Sequence, residues 1–564
     1  MWKTRPYDQN IETDLLKSGQ HKLISRLLAQ RNINKNDIPA FLSSTYNEMS
    51  HPHKLCGIKE AVDIFIDVVK NHNSVGVIGD YDVDGVLSAA MLKELCNTFK
   101  ISCNIFLPQR SKHGYGLSDK SIEAIKSKFS NPPYLLFIVD CGSNSEKEVC
   151  ELKKWGVKKI IIIDHHIIEE DSKTLSADVL VNWRINNFQE MCTCGEIFHF
   201  IRGIRWLTKH ISPNEFITYA AIGTLADLSP IEKDNRIIVK YGLRKYALDC
   251  IIASGIHAIK EKCHIYSDNI SVEDVVYNLA PKINAAGRIE NPYLAYDTII
   301  EHDAIRAEKL AQNLIDINKN RKIIQKNVEN LAMDHIKQNI NNYPYGIVLF
   351  GNNWHGGVLG IVASRLAETF IKPSLVIGNE NDVLKGSGRS IQNINLKMIL
   401  DDCKYCFVNY GGHNQAAGLT VKAEYKKDLN NIFNEACKKY YDKYGHPHNI
   451  KYYDAGLRIE SVTLETAQML LDSLYPYCSQ GNPEPIFLLS NVVIANVETF
   501  GNEFKIMTFF PSKEHKISSL KFKIFNPEMG SEIEGMKVDI YFTFPQSLSG
   551  RFEPTANTIE IIQK

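Results

Sequence analysis

The chain has 564 residues, 44% of them hydrophobic and 23% charged, with 65 basic and 65 acidic side chains and a formal net charge of +0. That length accommodates about three or four domains with ample core, and the charge balance excludes a uniformly basic surface, so any polyanion must be met in a local cationic groove. No apolar run is long enough to span a bilayer, the start Met1-Trp-Lys-Thr-Arg-Pro6 has no signal-peptide core, and thirteen cysteines without paired spacing suit reduced, cytoplasmic thiols.

Residues 1–54 read as a polar helical segment in which Leu23, Ile24, Leu27 and Leu28 form one apolar stripe at helical spacing. From 55 to 302, strand and helix patterns alternate, with strands expected at Val75–Gly79, Asn104–Leu107, Tyr134–Val139, Lys159–Ile163 and Val179–Val181. Such alternation predicts an α/β domain with a parallel sheet covered by helices.

Three of those apolar runs end in polar clusters. The first stops at three alternating carboxylates, Asp80, Asp82 and Asp84, followed by Gly85. Taken alone, this stretch fits a solvated acidic turn and a cation site about equally, because packed carboxylates repel one another unless a cation or water intervenes. Leu135–Val139 ends in Asp140-Cys-Gly142, and Ile160–Ile163 ends in Asp164-His165-His166. The functional crevice of an open α/β sheet lies outside the carboxyl ends of its strands. The three clusters should therefore converge, which favours a metal centre over an isolated acidic turn. Oxygen-rich ligand sets suit Mg²⁺, Mn²⁺ or Ca²⁺.

Asp227 follows the apolar helical segment Ala220–Ala226, and Leu279–Arg288 reads as a loop with an arginine at its end. Residues 303–343 predict a long connecting helix whose Arg321, Lys322 and Lys326 belong to a solvated face. A smaller α/β pattern spans 344–450. Its Gly386-Ser-Gly-Arg-Ser390 and Tyr410–Gly418 segments read as glycine-rich turns suited to phosphate. Cys403 and Cys406 have no second pair nearby and are read as packing. From 451 to 564 short strands predominate, which fits a small β-barrel of the OB type that often binds single strands. An Ig-like or purely structural β domain fits the same pattern.

With Asp164-His165-His166 preceded by the DxDxDG turn and Val139-Asp140, the sequence resembles the DHH phosphoesterase superfamily. Pro108-Gln-Arg110, Gly114-Tyr-Gly-Leu-Ser118, Gly223–Asp227, Asn284–Arg288, Trp354-His-Gly-Gly-Val358, Ser387-Gly-Arg389, Gly411-Gly-His413 and Gly481-Asn-Pro-Glu-Pro485 are similar to its RecJ branch. They run in that branch's order over nearly the whole chain. The departures are Cys141 with Ser143-Asn-Ser145, the polar run 192–197, and the segment Pro476–Gly481.

The resemblance implies a 5′-to-3′ exonuclease specific for single-stranded DNA, acting in repair and recombination with two divalent ions, Mn²⁺ or Mg²⁺. It implies a DHH domain (55–302), the connecting helix, a DHH-associated substrate-binding domain (344–450) and an OB-fold (451–564). On this reading Asp140 bridges the ions. Asp82 and Asp80 complete one ligand set, and Asp84, His165 and Asp227 the other. Asp164 orients the histidines, and His166 meets the scissile phosphate or protonates the leaving oxygen. Arg110, Tyr115, Arg288, Ser387, Arg389 and His413 match substrate-binding positions, the arginines and Ser387 in a terminal-phosphate pocket. The chain carries no GxxxxGK[ST] loop, so duplex ends require a helicase partner. A single-strand-binding protein is a further expected partner, and the expected state is a monomer. A DHH-type oligoribonuclease or cyclic-dinucleotide phosphodiesterase would resemble only the first two domains, and a non-catalytic DHH scaffold would lack ligands that are present here.

Overall fold

Five apolar runs pair in parallel to build the first sheet. They are β1 (Val75–Ile78), β2 (Cys103–Phe106), β3 (Leu135–Val139), β4 (Lys159–Ile163) and β5 (Val179–Val181), in the order β2-β1-β3-β4-β5. Every residue of β1 and β3 is buried, as strands covered on both faces require. Ile78 pairs with Ile138, Val139 with Ile163, and Ile163 with Val181, so these strands end at nearly one level. The strand order reverses at β1, which opens a crevice beyond the ends of β1 and β3.

The computed structural model describes residues 1–43, 45–114, 116–169, 176–251, 253–380, 383–447, 450–500, 504–510, 520–524, 533–546 and 554–563. They divide into two compact units, one made of 52–227 and 242–449, the other of 1–51, 228–241 and 450–564.

In the first unit, helix α1 (Val83–Thr98) begins at Asp82, whose Oδ1 accepts from the Gly85 amide at 3.2 Å. A Cβ on Gly85 would stand 2.5 Å from the Asp80 nitrogen, so only glycine lets the turn close. Helices α2 (Thr193–Leu207) and α3 (Ile217–Ala226) pack on α1. The segment read as a loop at Leu279–Arg288 is instead helical, forming most of α4 (Ala280–Ile289). Pro281 falls in its first turn, where a missing N–H breaks no bond, and Ala285 and Ala286 favour helix.

Helix α5 (Ala304–Gln338) runs 35 residues, about 50 Å. Its Arg321 is 8% exposed, which corrects the solvated face expected for it. Its Nε and Nη2 donate to Asn318 Oδ1 at 3.1 and 2.8 Å, and Nη1 donates to Gln325 Oε1 at 2.7 Å. Packing against other elements, invisible in the helix's own sequence, sets that burial.

The second sheet comprises β6 (Ile347–Asn352), β7 (Ser374–Glu380), β8 (Val383–Arg389), β9 (Phe407–Gly412) and β10 (Ala416–Val421) in the order β9-β10-β8-β7-β6. β6 and β7 are parallel, and the other neighbours are antiparallel. Gly386–Arg389, read as a turn, lies inside β8, where Ser387 pairs with Val376 on one side and Gly418 on the other. Two flanking ladders outweigh the weak strand preference of its glycines. Helix α6 (Gly356–Phe370) covers β7 and β8. Cys403 and Cys406 are buried in the core of this sheet.

In the second unit, strand Phe487–Phe500 pairs antiparallel with both Phe504–Phe510 and Lys537–Thr543. The pairing continues from Phe504–Phe510 to Leu520–Ile524, then to Thr555–Gln563, and returns to Lys537–Thr543. Phe487, Phe509, Phe522 and Phe542 share a core with Ile24, Leu27 and Leu28 of the amino-terminal segment. Arg236, 1% exposed, donates to the carbonyls of Phe41, Leu474 and Tyr475 at 2.9–3.0 Å. Strand Trp2–Thr4 pairs in parallel with Lys451–Tyr453. Among the described residues no helix is long and apolar enough to cross a membrane.

Candidate active site

The crevice beyond β1, β3 and β4 collects the acidic residues. Asp80, Asp84, Asp140 and Asp164 are 1–3% exposed. Asp140 leaves β3 with φ +60°, in the left-handed region that side chains other than glycine seldom adopt, while its amide donates to the Ile163 carbonyl at 3.1 Å. This abrupt turn places its carboxylate at the strand end. Asp164 likewise stays tied to β5, donating to the Val181 carbonyl at 3.1 Å.

Two groups of side chains can each surround an ion: Asp80, Asp82 and Asp140, and Asp140, His165 and His166, their ligand atoms lying within 4.8 Å of one another. Asp140 belongs to both. His165 Nε2 is 3.3 Å from Asp140 Oδ1, and its Nδ1 is 3.7 Å from Asp227 Oδ2, bringing in the residue that ends α3. Burial, then the neighbouring charge of Asp82, pushes Asp80 well above the usual carboxylate range. Burial, then Asp82, Asp84, Asp80 and Asp164, does the same to Asp140. Asp80 Oδ1 is buried without a hydrogen-bond partner among the described residues. Several buried carboxylates, one orphaned oxygen and an imidazole make a donor set that fits a pair of hard divalent cations.

Asp84 is held differently. Its Oδ2 accepts from the Thr193 amide at 2.8 Å and its Oδ1 from the Cys194 amide at 2.9 Å, the first turn of α2. These are amides that helix geometry leaves without an internal partner, at the positive end of the dipole. Asp84 lies in neither ligand group, although its charge acts on Asp140. The polar run 192–197 thus starts a buried helix that grips an active-site carboxylate.

Asp164 Oδ1 lies 2.7 Å from His166 Nδ1, and Oδ2 accepts from the Ser143 amide at 2.9 Å. Burial would raise Asp164, but the hydrogen bond and charge of His166 hold it below the usual range. Burial would likewise lower His166, yet Asp164, followed by Asp82 and Asp80, pushes it up to about 9. Asp164 and His166 thus favour each other's charged forms. Ser143, one of the sequence departures, serves here as a donor.

A second, cationic cluster stands beside the first. Arg110 Cζ lies 5.8 Å from the Tyr81 ring centroid. A Cβ on Gly287 would sit 2.3 Å from the Tyr81 carbonyl, a close approach that seats the neighbouring Arg288 against the same residue. Arg389 Nη1 donates to Ser387 Oγ at 3.0 Å and to the Gly388 carbonyl at 2.8 Å. Burial, then Arg288 and Arg110, brings Arg389 down to about 10. Burial, followed by Arg288, also lowers Arg321. Among the described residues no salt bridge joins Arg110, Arg288 or Arg389 to a carboxylate, although the charge of Asp82 acts on Arg288 and that of Arg110 on Asp80. Guanidinium groups gathered this way have the chemistry to receive an anion.

His413, in the turn between β9 and β10, donates its amide to the Ala416 carbonyl at 2.8 Å. Burial, then the charges of His166, Arg184 and His165, lowers its imidazole. Tyr115 lies outside the described residues. Ser143, Arg184 and the Thr193 and Cys194 amides contact the candidate site, and Tyr81 lies against Arg110, placements that the sequence does not signal. Backbone donors carry no residue signature, and the others acquire their place only through the fold.

The DHH family, N-terminal domain, matches residues 74–224, and the DHHA1 domain matches residues 342–439. Single-stranded-DNA-specific exonuclease RecJ of Haemophilus influenzae is 30% identical over 493 residues, spanning 83% of each chain. The Bacillus subtilis protein of the same name is 29% identical over 490 residues, 85% of this chain and 60% of that longer one. The fold is similar to the crystal structure of RecJ in complex with Mn²⁺ from Thermus thermophilus, with a TM-score of 0.80, 22% identity, and coverage of 100% of this chain and 79% of that one. Since the identity extends across both matched domains and well beyond them, the chain belongs to the RecJ family of DHH-domain proteins.

Proposed function

We propose that the chain is a divalent-metal-dependent exonuclease that hydrolyses single-stranded DNA from the 5′ end. The observation that carries this reading is Asp140, shared by two candidate ligand groups beside a cluster of three arginines. The relatives' names, single-stranded-DNA-specific exonuclease, support the substrate.

Asp80, Asp82 and Asp140 would hold one Mn²⁺ or Mg²⁺ ion, and Asp140, His165 and Asp227, with Asp84, the other. When bound, such a pair neutralises phosphoryl charge, activates water and stabilises the leaving oxygen. His166, kept protonated by Asp164, contacts the scissile phosphate and supplies a proton to the leaving oxygen. Arg110, Arg288, Ser387 and Arg389 hold a 5′-terminal phosphate. That anchor sets the polarity, because a strand seated by its 5′ end presents the adjacent linkage to Asp140. His413 contacts the backbone farther along, and Tyr115 is a further contact from the family pattern.

Within this reading we take 55–302 as the catalytic region, 303–343 as the connecting helix, 344–450 as the substrate-binding region and 1–54 as a helical segment. Residues 451–564 are an OB-fold that binds nucleic acid, a reading supported by strand pairing that returns to its first strand. The enzyme acts as a cytoplasmic monomer in repair and recombination, with a helicase and a single-strand-binding protein opening and presenting the strand.

The test is digestion of end-labelled single- and double-stranded DNA, with Mn²⁺ and with Mg²⁺. Mononucleotide release from the 5′ end of single strands is expected. Preference for short RNA would overturn this reading in favour of an oligoribonuclease.

A further inference from the structure

Arg184 lies beside the metal centre without belonging to either cluster described above. It follows β5, whose Val181 is in register with Ile163, so the sheet carries it to the level of the DHH residues. The loop is rigidly held. Asn182 is fully buried, and its Nδ2 donates to the His166 carbonyl at 2.9 Å and to Ser143 Oγ at 3.2 Å. Its Oδ1 accepts from the Arg184 amide at 3.0 Å. The Trp183 amide donates to Glu196 Oε1 at 2.7 Å.

The guanidinium is fixed as well. Arg184 Nε donates to the His165 carbonyl at 3.0 Å, and Cζ lies 4.2 Å from the Trp183 ring centroid. This uses one nitrogen and one face of the group, leaving both terminal nitrogens. No carboxylate lies within ion-pair distance of them among the described residues. Glu196, the nearby acid, is fully buried, and that burial pushes its carboxyl well above the usual range, while its Oε1 is taken by the Trp183 amide. His413 is held below its usual range by burial and then by the charges of His166, Arg184 and His165.

We infer that Arg184 is a further substrate-binding residue, its two terminal nitrogens gripping a backbone phosphate of the single strand beside the metal centre. A guanidinium pinned by a ring and a carbonyl presents its free edge with little ordering left to do, which suits bidentate phosphate binding. Trp183 is the residue that holds it there.

This inference rests on the exonuclease reading, and its test is separable from that reading's failure. Binding of a fluorescent, 5′-phosphorylated oligo(dT) is measured by anisotropy with Mn²⁺, comparing Asp140→Ala with Asp140→Ala/Arg184→Gln. The added substitution is expected to weaken binding about 10- to 100-fold, as loss of a charge-assisted contact does. It is also expected to make the slope of log affinity against log salt shallower by about 0.7, one phosphate's worth. In the otherwise unaltered chain, Arg184→Gln should raise KM while Mn²⁺ affinity, read by calorimetry, stays unchanged. Arg184→Lys should retain the salt slope yet bind more weakly, and it carries the test should the glutamine variant melt without cooperativity. Unchanged affinity and slope, or a loss confined to Mn²⁺ binding or kcat, would overturn the proposal and leave Arg184 as a brace for His165. A wild-type chain that digests no single-stranded DNA overturns the exonuclease reading itself.

Discussion

Asp84 Oδ2 accepts a 2.8 Å hydrogen bond from the Thr193 amide, and the Cys194 amide occupies its other oxygen. Asp82, two residues earlier, instead caps α1 through a single bond to the Gly85 amide. An asparagine serves as well as aspartate at such a cap, but its NH₂ group would oppose one of two inward-pointing amides at position 84. Asp84→Asn is therefore expected to be less stable than Asp82→Asn by about 1–3 kcal/mol in urea unfolding of the metal-free chain. Equal midpoints would show that the two amides hold nothing.

Asp140 is the carboxylate common to both ligand groups. Asp140→Ala should lower the Mn²⁺ stoichiometry seen by calorimetry and reduce nuclease activity about 10³-fold or more, equivalent to about 4 kcal/mol of transition-state stabilisation. Its folding should survive, because the change removes one of several mutually repelling buried charges. Retained activity with both ions still bound would sink the assignment.

Arg389 bonds Ser387 and feels the charges of Arg288 and Arg110. Removing it with Arg389→Ala should slow digestion of 5′-phosphorylated strands about 10- to 100-fold, the loss expected for a charge-assisted contact. Digestion of 5′-hydroxyl strands should change little, and Mn²⁺ affinity should be unaffected. A loss of the same size on both kinds of end would argue against a terminal-phosphate pocket.

Asp178 ties β5 to β4. Its Oδ2 accepts from the Ile160 amide at 2.8 Å, its Oδ1 from Lys159 Nζ at 3.0 Å, and Lys153 pairs with it as well. Burial would raise this carboxyl, but those donors hold it below its ordinary value of 3.8. A carboxyl depressed in the folded chain binds fewer protons there than in the unfolded chain. Its stabilisation is complete above pH 3.8 and disappears as pH falls through the lower, folded value. Asp178→Asn should therefore lose about 1 kcal/mol at pH 7 in urea unfolding, with the gap to wild type closing in more acidic solution. A gap independent of pH would mean that the charge contributes nothing.

Where local pattern and tertiary role coincide, the residues alone are informative. Apolar runs mark β1, β3 and β4 because a strand covered on both faces must be largely apolar. Asp80, Asp82 and Asp140 can be placed together because strand ends in a parallel sheet share one edge. Other segments mislead. Leu279–Arg288 has the look of a loop, and Gly386–Ser390 that of a turn. Helix packing on Tyr81 and two flanking strands decide those cases, and neither neighbour is local in sequence. Arg321 fails for the same reason, since its burial depends on what packs against α5.

The amino-acid sequence by itself determined the parallel sheet, the acidic and histidine clusters at its strand ends, and the family resemblance, because these depend on short-range periodicity and on residue types in order. Tertiary structure alone decided that Asp84 is seized by the amides of α2, that Asp140 is shared, that Arg321 is buried, and that Arg184 lies against His165 with its outer edge free. Each of these is a relation between segments far apart in the chain. The physical reason is that backbone amides and desolvation act through distance and burial, which no single stretch of sequence encodes.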